Sequence, residues 1–200
     1  SVRNGDWSSC SDFCFWNAPL TELNGQTFGI IGLGQIGKEA AAIASAFGMR
    51  VIAYNHRPPR ELTNDIEMVD LDEVFAKSDV ISLHCPLTKE NHHLVNAKRL
   101  KEMKRGAILI NTARGPLVDT MALAIALKEG EIAGAGLDVM ETEPPIAGHP
   151  LFLAPNCHIT PHIGWAAQAA RRRLIGIAAQ NVKSFLGGTS ENVVNQDQLV

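Results

Sequence analysis

Six short apolar runs recur along the chain at nearly constant spacing, and this spacing is the strongest constraint on its fold. Successive runs are 23, 29, 28, 26 and 24 residues apart, and they begin at Thr27, Arg50, Asp79, Ala107, Ala133 and Cys157. Each interval has room for one strand, one helix and two short loops. Alternation of this kind predicts an α/β fold with a mainly parallel, six-stranded sheet.

Apolar periodicity predicts helices between the strands and after the last one. The first helix has one apolar face formed by Ile36, Ala40, Ile43, Ala44 and Phe47. Asp119 is a good N-cap for another helix, which Gly130 ends. A last helix is predicted from about Ala166 to Leu186, with inward-facing residues Leu174, Ile177, Ala178, Val182 and Phe185.

The first twenty residues differ from the rest because they are rich in aromatic residues and have no clear period. The aromatic residues are Trp7, Phe13, Phe15 and Trp16. Exposed aromatic side chains at this density are costly, so the segment should pack either on its own domain or on a second subunit. We therefore divide the chain into an aromatic arm at 1–20, an α/β domain at 21–165, and a C-terminal helix and tail at 166–200.

Composition excludes several classes of protein. The 200 residues carry 18 basic and 21 acidic side chains, so nucleic acid is not an expected partner. No apolar run is long enough to cross a membrane. The four cysteines form no metal-binding or disulfide pattern, which favours reduced thiols and a cytoplasmic protein. His158 and His162 have a metal-ligand spacing for a helix, but Pro161 lies between them, and we predict no metal site.

The segment Gly32–Gly37 reads GLGQIG and lies between an apolar strand and a helix, which is the context that a dinucleotide-binding motif requires. Gly32 permits a tight turn, Gly34 lets a pyrophosphate approach the backbone, and Gly37 lets the helix pack closely on the strand. Gln35 and Ile36 open the helix, whose free N–H groups attract phosphate. The sequence thus predicts a Rossmann-type, doubly wound fold that binds a nicotinamide dinucleotide.

The end of the second strand leaves the choice between NAD and NADP open. A carboxylate is expected there to bind the ribose 2′-hydroxyl. The chain instead has Asn55, His56 and Arg57. Asn55 can bond a hydroxyl, whereas Arg57 can pair with the 2′-phosphate of NADP or remain a solvated surface charge.

Four further segments follow strands, at the edge where such sheets bind ligands. They are His84–Thr88, Asn111–Gly115, Leu137–Pro145 and Thr160–Gly164. These segments supply an arginine, Arg114, a carboxylate, Glu143, and a histidine, His162. In hydride transfer to a 2-keto acid, the arginine clamps the substrate carboxylate or polarises the ketone. The histidine transfers the proton, and the carboxylate orients the imidazole. Further predicted cofactor contacts are Cys85, Pro86, Thr112, Ala113, Asp138 and Gly164.

These motifs resemble the D-isomer-specific 2-hydroxyacid dehydrogenases over roughly residues 5 to 195. The matching segments are GLGQIG, HCPLT, NTARG, LDVMETEPP and TPHIGW. The resemblance implies that Arg114 binds substrate, that Glu143 pairs with His162, and that His162 is the acid–base group. It also implies that Asp138 meets the nicotinamide carboxamide. Asn55 departs from the family's usual aspartate.

Within the family, Trp165 and the stretch WSSCSDFCFW look most like the glycerate dehydrogenase branch, also called hydroxypyruvate reductase. The resemblance implies a homodimer formed through the cofactor domains. It also implies that a separate substrate domain is missing from these 200 residues, so we expect a fragment that lacks half of the substrate site.

Two alternatives remain at this stage. Corepressors that resemble the family keep the fold and the triad but act by recruiting partners in response to NAD(H). The short loops of this sequence offer no obvious peptide groove, which favours the enzyme. The cofactor domains of S-adenosylhomocysteine hydrolases share the Gly-rich loop, but they lack the combination of NTARG with the later Glu143 and His162.

Overall fold

A computed structural model describes residues 1–18, 20–57 and 66–195. The strands are β1 (Thr27–Ile31), β2 (Arg50–Tyr54), β3 (Ile66–Met68), β4 (Val80–Leu83), β5 (Ile108–Asn111), β6 (Gly134–Leu137) and β7 (Cys157–Ile159). The helices are α1 (Gln35–Ala46), α2 (Leu71–Lys77), α3 (Ala97–Glu102), α4 (Thr120–Glu129) and α5 (Gln168–Leu186). No helix in these ranges is both long and apolar enough to span a membrane.

All seven strands run parallel in one sheet, in the order β3-β2-β1-β4-β5-β6-β7. The order reverses direction beside β1, so the carboxyl ends of β1 and β4 flank a crevice of the kind that binds dinucleotides. The predicted Rossmann-type α/β fold is confirmed, but the strand count of six was one too low. Sequence reasoning missed β3 because three residues, with Ile66 and Met68 only half-buried, are too few to show a period.

The core lies on both faces of the sheet. Neighbouring residues of β1 point to opposite faces, and Ile30 and Ile31 belong to different buried clusters, at 0% and 2% exposure. One cluster packs α1 on the sheet, and the larger one packs α2, α3 and α4. Asp119 caps α4 by accepting a bond from the backbone N–H of Ala122, and Gly130 ends the helix in a left-handed conformation, as predicted.

Helix α1 buries its small residues rather than its large ones. Gly37, Ala41 and Ala44 face the sheet, whereas Ile36, Ile43 and Phe47 are 71%, 60% and 60% exposed. The reason is the short distance between helix and strand: a Cβ on Gly37 would overlap the carbonyl oxygen of Gly32. The apolar face predicted from Ile36 to Phe47 is therefore mostly exposed to solvent, and Ala44 is its only residue in the core.

The inward face predicted for the last helix was wrong. Helix α5 begins at Gln168, and its buried residue is Ser184. The predicted core residues are all exposed, because no described layer of the chain covers them: Leu174, Ile177, Ala178, Val182 and Phe185. In the arm, Trp7, Phe13 and Trp16 are exposed as well. Residues 19 and 196–200 of the two predicted end segments lie outside the described residues.

Candidate active site

The Gly-rich loop connects β1 to α1 and has the shape that a pyrophosphate needs. Gly32 has φ +102°, and a Cβ there would overlap the backbone of His84 and Cys85 at the end of β4. Gly34 caps α1, and a Cβ there would meet no atom within 4 Å. No side chain caps the helix, so its first N–H groups remain available. The open space at Gly34 and the free N–H groups of α1 therefore fit a dinucleotide phosphate.

Two side chains at the end of β4, beside the Gly-rich loop, are uncharged: those of His84 and Cys85. His84 Nε2 lies 2.9 Å from Ser82 Oγ, and burial lowers the pKa of the imidazole. Burial raises the pKa of the Cys85 thiol. Both groups are therefore neutral at physiological pH and do not oppose the partial positive charge of the helix N-terminus, which favours an anion.

At the end of β2, the side chain of Asn55 makes hydrogen bonds to the backbone of the protein. Its Oδ1 accepts from the backbone N–H of Leu33 at 3.3 Å, and its Nδ2 donates to the carbonyl of Arg57 at 2.6 Å. The amide thus ties the Gly-rich loop to the segment after β2. His56 and Arg57 are exposed. Residues 54–57 contain no carboxylate, so nothing there repels a 2′-phosphate.

A cavity of about 1040 Å³ lies at the carboxyl edge of the sheet. It brings together many of the predicted residues: Ile36, Cys85, Pro86, Thr112, Ala113, Arg114, Asp138, His162 and Gly164. It does not include Gly32, Gly34, Gln35, Gly37, Asn55, His56, Arg57 or Glu143. Sequence reasoning did not assign His84, Leu87 and Trp165 to the site, although each lies inside or directly after a motif and lines this cavity.

His162 and Glu143 form a pair at the rim of the cavity. His162 Nδ1 lies 2.7 Å from Glu143 Oε2, and the other carboxylate oxygen accepts from the backbone N–H of Met140 at 2.8 Å. The bonds from His162 and Met140 lower the pKa of Glu143, so this carboxylate is ionised at neutral pH. The bonds leave Nε2 as the ring nitrogen available to a ligand.

Asp138 holds the loop that carries His162. Its carboxylate, 7% exposed at the end of β6, accepts from Thr160 Oγ1 at 2.5 Å and from the N–H groups of Ile163 and Gly164 at 2.9 and 2.8 Å. Burial raises the pKa of Asp138, but these three bonds outweigh it and lower the pKa overall. Because the bonds flank His162 on both sides, they hold its backbone at φ +53°.

Arg114 projects from the loop after β5, which Asn111 shapes. The buried Asn111 amide accepts from the N–H of Ala113 at 3.0 Å and donates to the carbonyl of Arg114 at 2.9 Å. Gly115 follows, and a Cβ there would overlap the backbone of Met140. One guanidinium N–H donates to the Ala113 carbonyl, which leaves the others for an anion.

A second, more apolar cavity of about 620 Å³ lies on the Glu143 side of the pair. Its lining includes Asp138 and His162, which both cavities share, together with Pro144, Pro145 and Phe152. His162 and Glu143 therefore lie between a mixed polar cavity and an apolar one.

Comparison with known proteins identifies the family. Residues 1–164 match the D-isomer specific 2-hydroxyacid dehydrogenase, NAD binding domain. The chain is 47% identical over 196 residues to a hydroxypyruvate reductase of Blautia hydrogenotrophica and 46% identical over 196 residues to a glycerate dehydrogenase of Methylorubrum extorquens. The alignments cover 98% and 97% of this chain and 61% and 60% of the relatives, so the chain spans about three fifths of their length.

A solved structure agrees with this assignment. The D-isomer specific 2-hydroxyacid dehydrogenase from Lactobacillus delbrueckii ssp. bulgaricus, in its NAD complexed form, superposes with a TM-score of 0.84 at 36% identity. The match covers 96% of this chain and 63% of that one. Together with the Gly-rich loop, the cavity and the histidine–carboxylate pair, these matches show that the chain belongs to the D-isomer-specific 2-hydroxyacid dehydrogenases, of which it is the NAD-binding domain.

Proposed function

We propose that this chain supplies the cofactor site and the acid–base group for the reduction of a small 2-keto acid to a D-2-hydroxy acid. The observation that carries the proposal is the bond of 2.7 Å between His162 Nδ1 and Glu143 Oε2, beside a cavity that Arg114 and Asp138 also line. Hydroxypyruvate is the favoured substrate because relatives at 47% and 46% identity are named hydroxypyruvate reductase and glycerate dehydrogenase.

A nicotinamide dinucleotide would be held by the Gly-rich loop at Gly32 and Gly34, and it would supply or accept the hydride at C2 of the substrate. In the reductive direction, His162 donates the proton on Nε2 to the ketone oxygen, and in the oxidative direction it takes the proton back. Glu143, ionised and bonded to Nδ1, fixes the ring orientation and places a negative charge beside the ring. Arg114 offers its free guanidinium N–H groups to the substrate carboxylate.

Asp138 has room for one more role at the nicotinamide. Oδ1 already accepts two bonds and Oδ2 one, so Oδ2 keeps an acceptor site for the carboxamide of the cofactor. We propose that the same carboxylate positions both the nicotinamide and the loop of His162. We also propose cofactor contacts for the remaining predicted residues, from Gly32 to Arg57 and in the strand-end loops. The reason is that they lie around the carboxyl edge of the sheet.

The test replaces His162 in a form of the enzyme that includes the substrate-binding part. His162→Ala should lower kcat with hydroxypyruvate by about 10²–10⁴-fold and leave dinucleotide affinity nearly unchanged. His158→Ala, an exposed histidine on β7, is the matched control and should keep full activity. A loss under tenfold in His162→Ala means that another group transfers the proton.

The 200-residue chain alone should bind a nicotinamide dinucleotide but catalyse slowly. The support is a complete Gly-rich loop in a chain that spans about three fifths of its relatives. Cofactor fluorescence measures binding, and steady-state assays with hydroxypyruvate and glyoxylate measure turnover. Turnover at roughly 1–10³ s⁻¹, the range of complete enzymes, contradicts the proposal.

The comparisons give the corepressor alternative no support, because the matched relatives are named as a reductase and dehydrogenases. Turnover assays with hydroxypyruvate, glyoxylate and pyruvate on the enzyme with its substrate-binding part separate the two functions directly.

We propose that the chain forms a homodimer through the cofactor domain, with the arm of residues 1–20 reaching the partner. Trp7, Phe13 and Trp16 are 51%, 88% and 67% exposed. If the arm packed on its own domain, these side chains would be buried. Aromatic side chains of this kind are typical anchors of an interface. Deletion of residues 1–18 should produce a folded monomer, which sedimentation measures. If the intact chain is a monomer at tens of micromolar, the proposal is contradicted.

A further inference from the structure

Two histidines and a glutamate meet away from the acid–base pair. His92 and His93 lie in the loop between β4 and α3, and Glu141 lies in the loop after β6. One ligand atom from each residue lies within 4.8 Å of the other two. His93 Nε2 and Glu141 Oε1 are 3.2 Å apart, although the residues are separated by 48 positions in sequence. The sequence predicted no metal site because only the fold brings these loops together.

The spacing of the donor atoms suits a small divalent ion. Zn²⁺ binds imidazole nitrogen at 2.0–2.1 Å and carboxylate oxygen at similar distances, so neighbouring ligand atoms in a tetrahedron are about 3.3 Å apart. The separation of 3.2 Å between His93 Nε2 and Glu141 Oε1 matches this edge. The ring of His92 lies beside that of His93, tilted by 35° with the centroids 4.0 Å apart, and its side chain is exposed.

His93 is held in place before any ligand binds. Its backbone N–H donates to the carbonyl of Pro116 at 2.8 Å, and its φ is +52°. Its second ring nitrogen, Nδ1, lies 4.0 Å from Asp119 Oδ2, and the other oxygen of Asp119 is fixed by the N–H of Ala122. The Asp119 carboxylate therefore lies behind the second ring nitrogen of His93, on the side where the outer partners of metal-binding histidines are found.

We propose that His92, His93 and Glu141 bind one divalent transition-metal ion, of which zinc is the best match. Water completes the coordination, since the chain offers three ligands on an open surface. The site shares no residue with Arg114, Glu143 or His162. By joining the loop before α3 to the loop after β6, the ion cross-links two segments that enter the cofactor edge from different strands.

The first experiment measures zinc binding to the metal-free chain by calorimetric titration with zinc chloride. The parent should bind one zinc per chain with a saturable isotherm. His92→Gln, His93→Gln and Glu141→Gln should each weaken binding by at least about 10–100-fold, the loss that follows even from removing an outer partner of a metal ligand. Because His92 and Glu141 are exposed, their variants keep the test valid if His93→Gln does not fold.

Two controls separate this site from other histidines. His158→Gln removes an exposed histidine on β7, and His162→Gln removes the imidazole that pairs with Glu143. Neither change should alter zinc affinity. Zinc binding that is absent in the parent, that survives all three cluster variants, or that disappears in His162→Gln overturns the proposal. None of these outcomes bears on the reaction, since no substrate or dinucleotide is present.

Thermal unfolding provides a second measurement. A ligand that binds only the folded chain raises its melting temperature as its concentration increases above Kd. Zinc should therefore raise the Tm of the parent and of His158→Gln, but not that of Glu141→Gln. An equal increase in all three chains assigns the effect to zinc bound elsewhere and contradicts the proposed ligand set.

Discussion

The two ends of the cofactor edge are constructed differently. At the end of β6, a carboxylate that is 7% exposed gathers three hydrogen bonds and holds the loop of His162. At the end of β2, Asn55 makes two bonds within its own neighbourhood, and His56 and Arg57 extend into solvent. The first end is fixed by internal contacts, whereas the second presents exposed charge.

On the proposed function, this difference separates catalysis from cofactor choice. Because three hydrogen bonds to Asp138 hold the loop of His162, we expect a substitution there to change stability and turnover together. At the β2 end, we propose that the exposed guanidinium of Arg57 discriminates between dinucleotides. A substitution of Arg57 is then expected to alter cofactor choice without disturbing His162.

The largest effect on folding is expected from Asp138→Asn. The amide keeps the shape but presents a donor to a site lined by three donors, so the unfolding free energy should fall by about 2–3 kcal/mol at pH 7. Denaturant titration measures the change. Asp72→Asn, whose carboxylate is 76% exposed, is the matched control and should stay within about 0.5 kcal/mol of the parent.

The same variant should show a characteristic pH dependence. The folded pKa of Asp138 is below its usual value of about 3.9, so the carboxylate stabilises the fold above that value. The stabilisation is lost as the pH falls through the folded pKa. The difference between parent and Asp138→Asn should therefore be constant near neutrality and narrow below about pH 4. A difference that stays constant into acid shows that the charge of Asp138 contributes nothing.

At the other end, Arg57→Ala should alter cofactor choice. If the guanidinium pairs with the 2′-phosphate, its loss removes a charge-assisted bond of about 1.5–3 kcal/mol, or roughly 10–150-fold in Kd for NADP(H). Affinity for NAD(H) should hardly change. Arg50→Ala is a suitable control, because Arg50 lies at the opposite end of β2 and pairs with Glu67. Equal losses for both dinucleotides show that Arg57 is only a surface charge.

Much of the fold and of the site could be predicted because both depend on local patterns. Strands such as β1 and β4 are apolar runs bounded by turns, and the order of strand, Gly-rich loop and helix fixes where Gly32 and Gly34 lie. Strand-end loops meet at one edge of any parallel sheet. That rule placed Arg114, Asp138 and His162 around one cavity without knowledge of the packing.

The rest could not be predicted because it depends on what covers a surface. Ile36 and Phe47 have the periodicity of a core, yet Gly37 brings α1 so close to β1 that only small side chains fit between them. Leu174 and Phe185 have the same periodicity on α5, where no described layer lies over them. Likewise, the sequence shows that Asn55 can bond a ribose hydroxyl, but it does not show that the amide also bonds the Gly-rich loop at Leu33 and the carbonyl of Arg57.

The smallest effect in this comparison is expected from Thr160→Val, which removes one of the three bonds to Asp138. Valine keeps the branched shape, and the two backbone N–H bonds remain, so the unfolding free energy should fall by only about 1 kcal/mol. In the enzyme with its substrate-binding part, the looser loop of His162 should lower kcat by less than tenfold and leave KM for the dinucleotide unchanged. Thr160→Ser restores the hydroxyl and should recover both losses. If Ser and Val behave alike, the hydroxyl does not position the loop, and the backbone bonds from Ile163 and Gly164 hold His162 by themselves.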